Sequence, residues 1–102
     1  MRTEQKKDTW HTLKTDAYWF SLIWENLKTF ELRFNDRSFK KGDYLSLKET
    51  RFSCEEMKNG KPLEFTKREV HAEITDVFNE SFGLKDGFVI LSFRIISKLE
   101  VL

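Results

Sequence analysis

The chain has 102 residues, 39% hydrophobic and 34% charged, with 18 Lys and Arg against 17 Asp and Glu. That length fits one domain, and ten Phe, three Trp and two Tyr can form a core without disulfide or metal staples. A net charge of +1 excludes nucleic-acid binding through bulk charge, so any such role must rest on a local patch.

Residues 1–9 read as a flexible polar tail, and residues 10–102 as a single domain. An extended piece, WHTLKT, opens the domain. Thr15 or Asp16 then caps a helix running to about Leu27, because a side-chain oxygen there accepts from the free amides of the first turn. Phe20, Ile23, Trp24 and Leu27 share one face of that helix at the i, i+3, i+4, i+7 spacing, while Tyr18, Trp19 and Leu22 lie off the stripe. Beyond the helix the period changes from 3.6 to 2, and strands are expected at 29–34, 43–50, 64–77 and 87–97. Asn59-Gly60 and Pro62 punctuate the loop SCEEMKNGKP, and Gly83, Asp86 and Gly87 mark a loop or single helical turn before the last strand. One early helix followed by strands predicts an α+β domain with a curled, barrel-like sheet.

Cys54 is the sole cysteine, so no internal disulfide forms, and a reducing, cytoplasmic setting is expected. No apolar run reaches the roughly 18 residues of a membrane span, and the charged N-terminus lacks the apolar segment of a signal peptide. Two His and one Cys are too few for a structural zinc site. No glycine-rich phosphate loop or nucleophile elbow occurs. No metal and no cofactor are expected.

The residues that invite a functional reading lie in LKTFELRFNDRSFKKGDYLSL, residues 27–47. Between Lys28 and Arg51 stand seven basic and four acidic residues, the part of the chain best suited to an anionic partner. Phe30, Leu32 and Phe34 alternate with Glu31, Arg33 and Asn35, as in a half-buried strand. Glu31 and Arg33 therefore share one face. They form either a surface ion pair or the wall of a cleft, in which Glu31 accepts from the exocyclic amine of a base and Arg33 forks onto a phosphate or carbonyl. Lys28 ends the helix, where the dipole favours a cation, and can also donate to a ligand. Asn35 and Asp36 are turn formers, and Arg37 is the member of that trio best placed to touch a ligand. Lys40-Lys41-Gly42-Asp43 reads as a strand-connecting turn. Trp19 and Tyr18 either pack or stack on a base, and His71 reads as a surface residue.

Three stretches together resemble the ASCH-type branch of the PUA-like superfamily. They are His11, Leu13 and Lys14; then Lys28, Thr29, Phe30, Glu31, Arg33, Asn35, Asp36, Arg37 and Phe39; then Gly42, Asp43, Leu45, Leu47 and Glu49. The likeness runs on through VHAEITDVF and GLKDGFVILSF, about residues 10–96, and is narrowest to a small phage and bacterial subfamily with no assigned function. It implies a small curled PUA-like β-barrel of about five strands, with one main helix near the N-terminus. It also implies a cleft beside that helix for RNA or a modified nucleoside or nucleotide. His11 enters the candidate site through this resemblance, beside Lys28, Glu31, Arg33, Asn35, Asp36 and Arg37.

Some relatives in that superfamily are small amidohydrolases acting on acylated cytidine, with a Lys where this chain has Lys28. This chain carries Glu31 in place of their Thr and lacks their Glu-bearing insertion. If it is an enzyme, Lys28 and Glu31 are the candidates for catalysis. Asn26 stands where the family has Gly, and Asn tolerates the left-handed backbone that ends a helix. The leading expectation is a non-catalytic binding module. The alternatives are an amidohydrolase and a phage-derived protein–protein interaction factor.

Overall fold

The computed structural model describes residues 8–101, so residues 1–7 of the expected tail lie outside the described residues. Thr9, at the end of that span, is tied to the fold: its carbonyl accepts from the Tyr44 amide at 2.8 Å. In chain order the elements are β1 (Trp10–Asp16), α1 (Ala17–Trp24), β2 (Phe30–Phe34), β3 (Tyr44–Thr50), α2 (Cys54–Lys58), β4 (Phe65–Phe78), a 3-10 turn (Glu80–Phe82) and β5 (Phe88–Glu100). The five strands form one mixed sheet in the order β1-β3-β4-β5-β2, with β1–β3 parallel and the other pairs antiparallel. No helix among the described residues is long and apolar enough to cross a membrane.

Asp16 caps α1, its Oδ1 accepting from the Trp19 amide at 3.3 Å. The helix stops at Trp24, earlier than the apolar spacing suggests. Asn26 adopts φ 61°, the left-handed conformation that ends helices and that Asn tolerates. The chain turns there, and Leu27, expected on the buried stripe, is instead 76% exposed. Phe20 and Ile23 are fully buried and seat the helix on the sheet. Rows of inward side chains cross the strands beneath it: Leu13 stands beside Leu47 and Leu47 beside Val70. The next row is His11, Leu45, Ala72 and Ile95. Each large apolar side chain fully buried in such a row contributes about 1.5–3 kcal/mol.

The sheet curls into a half-barrel. Extra residues at Thr75 in β4 and Ile96 in β5 break the β4–β5 register, and bulges of this kind bend a strand and increase its twist. The curl brings the edge strands β1 and β2 to face each other without a backbone ladder between them. Arginines span the seam: Arg33 Nη2 donates to the Lys14 carbonyl at 2.7 Å, and Arg37 Nη1 to the Thr12 carbonyl at 2.6 Å. Both carbonyls lie on the exposed free edge of β1, and the arginines supply them with donors.

Strand β2 is turned over relative to its apolar pattern. Phe30, Leu32 and Phe34 are 45%, 56% and 56% exposed, while Glu31 is 5% exposed. Glu31 pairs with Leu91 and Arg33 with Val89, both core residues, so the charged side chains face inward. The inversion is tolerated because the buried carboxylate has two cationic partners and because Arg33 is needed at the seam.

Candidate functional site

Glu31 sits between two cations. Lys28 Nζ donates to its Oε1 at 2.7 Å and to the Phe30 carbonyl at 2.6 Å. Arg33 Nε donates to its Oε2 at 3.1 Å. The turn after α1 aims Lys28 at this point, since the amides of Leu27 and Lys28 both bond to the Leu22 carbonyl. The strand places Glu31 and Arg33 two residues apart on one face. The Lys28 ammonium also lies 5.5 Å from the Trp19 ring and 4.9 Å from the Phe30 ring, within cation–π range.

Two cavities open beside this cluster. A polar one of about 400 Å³ is lined by Lys14, Thr15, Asp16, Thr50, Cys54 and Met57, and by Trp19, Glu31, Leu32, Arg33 and Phe34. An apolar one of about 580 Å³ is lined by Leu22, Leu27, Lys28 and Phe30, and again by Trp19, Glu31 and Leu32. Both volumes fall in the range of small-molecule pockets. The shared residues make Glu31 a wall of each.

The polar cavity keeps unspent hydrogen-bonding capacity. A guanidinium carries five N–H groups, and Arg33 uses Nε and Nη2, leaving Nη1 without a protein partner among the described residues. Glu31 Oε1 accepts one hydrogen bond and has a lone pair over, while Oε2 takes Arg33 Nε with Arg33 Nη2 also 3.0 Å away. Thr15, 3% exposed, has an Oγ1 with no partner among the described residues, and a buried hydroxyl in that state costs about 1–3 kcal/mol.

Four expected residues take other places. His11 is buried, its Nε2 2.8 Å from Asp43 Oδ2 and its ring edge-on to Phe39. Asp43 also accepts from the Lys40 amide at 3.0 Å, so this pair organises the turn before β3. Asn35 Oδ1 accepts from the Phe39 amide at 3.0 Å, and Asp36 is exposed beside Arg37. Arg37 lies on the seam. None of these four lines either cavity. Lys28, Glu31 and Arg33 are the expected residues that the fold brings together.

Among the residues that sequence reasoning did not assign to the cavities are Lys14, Thr15, Leu32, Thr50, Cys54 and Met57. Alternation along β1 with His11 and Leu13 was the available signal for Thr15, and Lys14 and Leu32 are chain neighbours of Thr15 and Glu31; Thr50, Cys54 and Met57 come from elements distant in sequence. Two further ion pairs were also missed. Arg68 grips Glu49 with Nε and Nη2 at 2.9 and 2.8 Å, and Thr66 Oγ1 also donates to this carboxylate. Burial pushes the Glu49 carboxyl up, but the Arg68 and Thr66 hydrogen bonds and the Arg68 charge outweigh it and hold it below the usual carboxylate range. Arg68 lies over Phe20 and Trp24, 5.4 and 5.0 Å from the ring centres. Glu69 accepts from Ser46 Oγ at 2.6 Å and contacts His71 Nε2 at 2.5 Å. Burial raises its pKa, but these bonds together hold it low.

Residues 10–93 match the model of a family described as a domain of unknown function, DUF3850. The chain is also 36% identical over 89 residues to an uncharacterized 12.9 kDa protein from the GpA 3′ region of Escherichia phage P2. That alignment covers 87% of this chain and 71% of the phage protein.

Proposed function

We propose that this chain, which belongs to the DUF3850 family, is a non-catalytic module that holds a nucleobase of RNA or of a modified nucleotide. The base would occupy the polar cavity. One observation carries the reading: a buried carboxylate whose Oε1 has a lone pair to spare stands beside a guanidinium whose Nη1 is unspent. An acceptor next to a donor matches the edge of cytosine or adenine, where an exocyclic amine adjoins a ring nitrogen. Trp19, 47% exposed on the rim, supplies a stacking surface. The resemblance to ASCH-type, PUA-like domains points the same way.

The charges on the cavity wall cancel, with Lys14 and Arg33 against Asp16 and Glu31. Base recognition therefore dominates, and phosphate contacts are few. Lys28 acts here as a positioning residue, since it is engaged as a donor to Glu31 and to the Phe30 carbonyl.

The test is a mobility shift with short oligo-C, oligo-A and oligo-U RNAs at several salt concentrations, with acylated cytidine assayed in parallel by chromatography. Retention of oligo-C and oligo-A over oligo-U, weakened in Arg33→Ala, is expected. Each phosphate contact to a single strand contributes about −0.7 to the log–log salt slope, so a shallow slope of about −1 to −2 accompanies it. Deacylated product that vanishes in Lys28→Ala would make the protein an amidohydrolase instead. Equal retention of all three RNAs, or of none, would refute base recognition in this cavity.

A further inference from the structure

The apolar cavity has no role in base recognition as described above. Four of its wall residues are large and open to water: Trp19 47%, Leu27 76%, Phe30 45% and Leu32 56%. Contiguous apolar side chains left exposed mark a surface that something covers. The charged groups on this wall, Lys28 and Glu31, neutralise each other at 2.7 Å. The cavity therefore suits an uncharged hydrocarbon group.

Its boundary with the polar cavity says what that group is attached to. Trp19, Glu31 and Leu32 line both cavities, so a single ligand can occupy the two at once. Glu31 is also the residue that meets the exocyclic amine of a bound base. A substituent on that amine would lie toward Trp19 and Leu32, the side chains that the apolar cavity shares. The remaining N–H of the amine still donates to Glu31.

We infer that the preferred ligand is a nucleobase whose exocyclic amine carries an alkyl or aryl substituent, and that the apolar cavity is the subsite for that substituent. The inference rests on the base-binding reading of the polar cavity and adds the class of modification. Leu27 is the residue on which it can be isolated. It is the most exposed member of the wall, lines only the apolar cavity, and lies outside α1 and β2, so an acidic side chain there leaves the core intact.

The experiment is calorimetric titration of the full chain with adenine and with N6-benzyladenine, on wild type and on Leu27→Asp. Wild type should bind N6-benzyladenine at least about tenfold more tightly than adenine, the gain of burying one small apolar group. Leu27→Asp should erase that ratio, and Leu27→Met should keep it. Equal affinities on wild type, with adenine bound, would overturn the subsite and leave the base pocket standing. A ratio that survives Leu27→Asp would overturn it too. If neither compound binds, the base-pocket reading fails and takes this inference with it.

Discussion

Replacing Arg68 with Met removes both hydrogen bonds to Glu49 while keeping much of the packing over Phe20 and Trp24. Glu49 is 3% exposed, so the variant leaves a buried carboxylate with only Thr66 as a partner. Stranding a buried charge in this way costs about 3–5 kcal/mol. The Arg68 side chain is itself 28% exposed, so water reaches the gap and the lower end, about 3 kcal/mol, applies. For a chain of this size each kcal/mol moves Tm by about 4–8 °C, giving a fall of about 12–24 °C at pH 7.

The pH dependence has a definite sign. In wild type the folded Glu49 carboxyl lies below its unfolded value, so its stabilising contribution is complete above the unfolded pKa of about 4.3. It is lost as pH falls through the lower folded value. In Arg68→Met burial acts without the arginine, the folded carboxyl rises, and protonation relieves the variant as pH falls. The difference in stability is therefore largest at pH 7 and shrinks toward pH 3. The double variant Glu49→Gln/Arg68→Met should recover most of the loss, because no charge is left buried. Thermal unfolding followed by circular dichroism at pH 7, 5 and 3 measures all three proteins. A loss under about 1 kcal/mol in Arg68→Met, or a difference that grows toward low pH, would refute this account of the pair.

Thr15→Val removes a buried hydroxyl that has no partner among the described residues at nearly constant volume, so unliganded stability should rise by about 1 kcal/mol in denaturant titration. Asn26 holds φ 61° at the helix end, and Asn26→Val should cost about 1–2 kcal/mol while Asn26→Gly is close to neutral. Gly87→Ala should destabilise by about 2 kcal/mol. A Cβ there meets Phe34 Cε2 at 2.6 Å in a backbone at φ +85°, and the shift of the Phe34 ring should be visible in aromatic NMR resonances.

The element order is legible in the sequence because local signals agree there. Asp16 is a cap followed by an apolar helical stripe, and Asn26 stands where the helix must turn out. The strands at 30–34, 44–50, 65–78 and 88–100 begin within a residue of where the alternation places them. β2 is the informative failure. Phe30, Leu32 and Phe34 carry the apolar face of a half-buried strand, yet tertiary pairing with β5 turns Glu31 and Arg33 inward. Alternation identifies two faces but does not say which one meets the core, and here the inward face is the one whose Glu31 is paired by Lys28 and Arg33 and whose Arg33 reaches the β1 edge. The same seam explains Arg37, which the sequence offers as a ligand contact and the fold uses as a bridge. Lys28, Glu31 and Arg33 could be grouped from spacing, because a helix end and a strand hold them together. Thr15, Thr50, Cys54 and Met57 join them only through parallel β1–β3 pairing and the placement of α2, which no local pattern encodes.

The most direct test of base recognition is the affinity of the full chain for cytidine and for uridine, compared between wild type and Glu31→Gln. Cytidine presents an amine donor to Glu31 where uridine presents a carbonyl, and one well-matched base contact discriminates by about 1–3 kcal/mol. Wild type should therefore prefer cytidine by roughly 5- to 150-fold. Glu31→Gln, whose amide can accept or donate, should bring the two affinities together. Equal binding of both nucleosides by wild type, or a preference that survives in Glu31→Gln, would contradict the claim that this buried carboxylate reads a base.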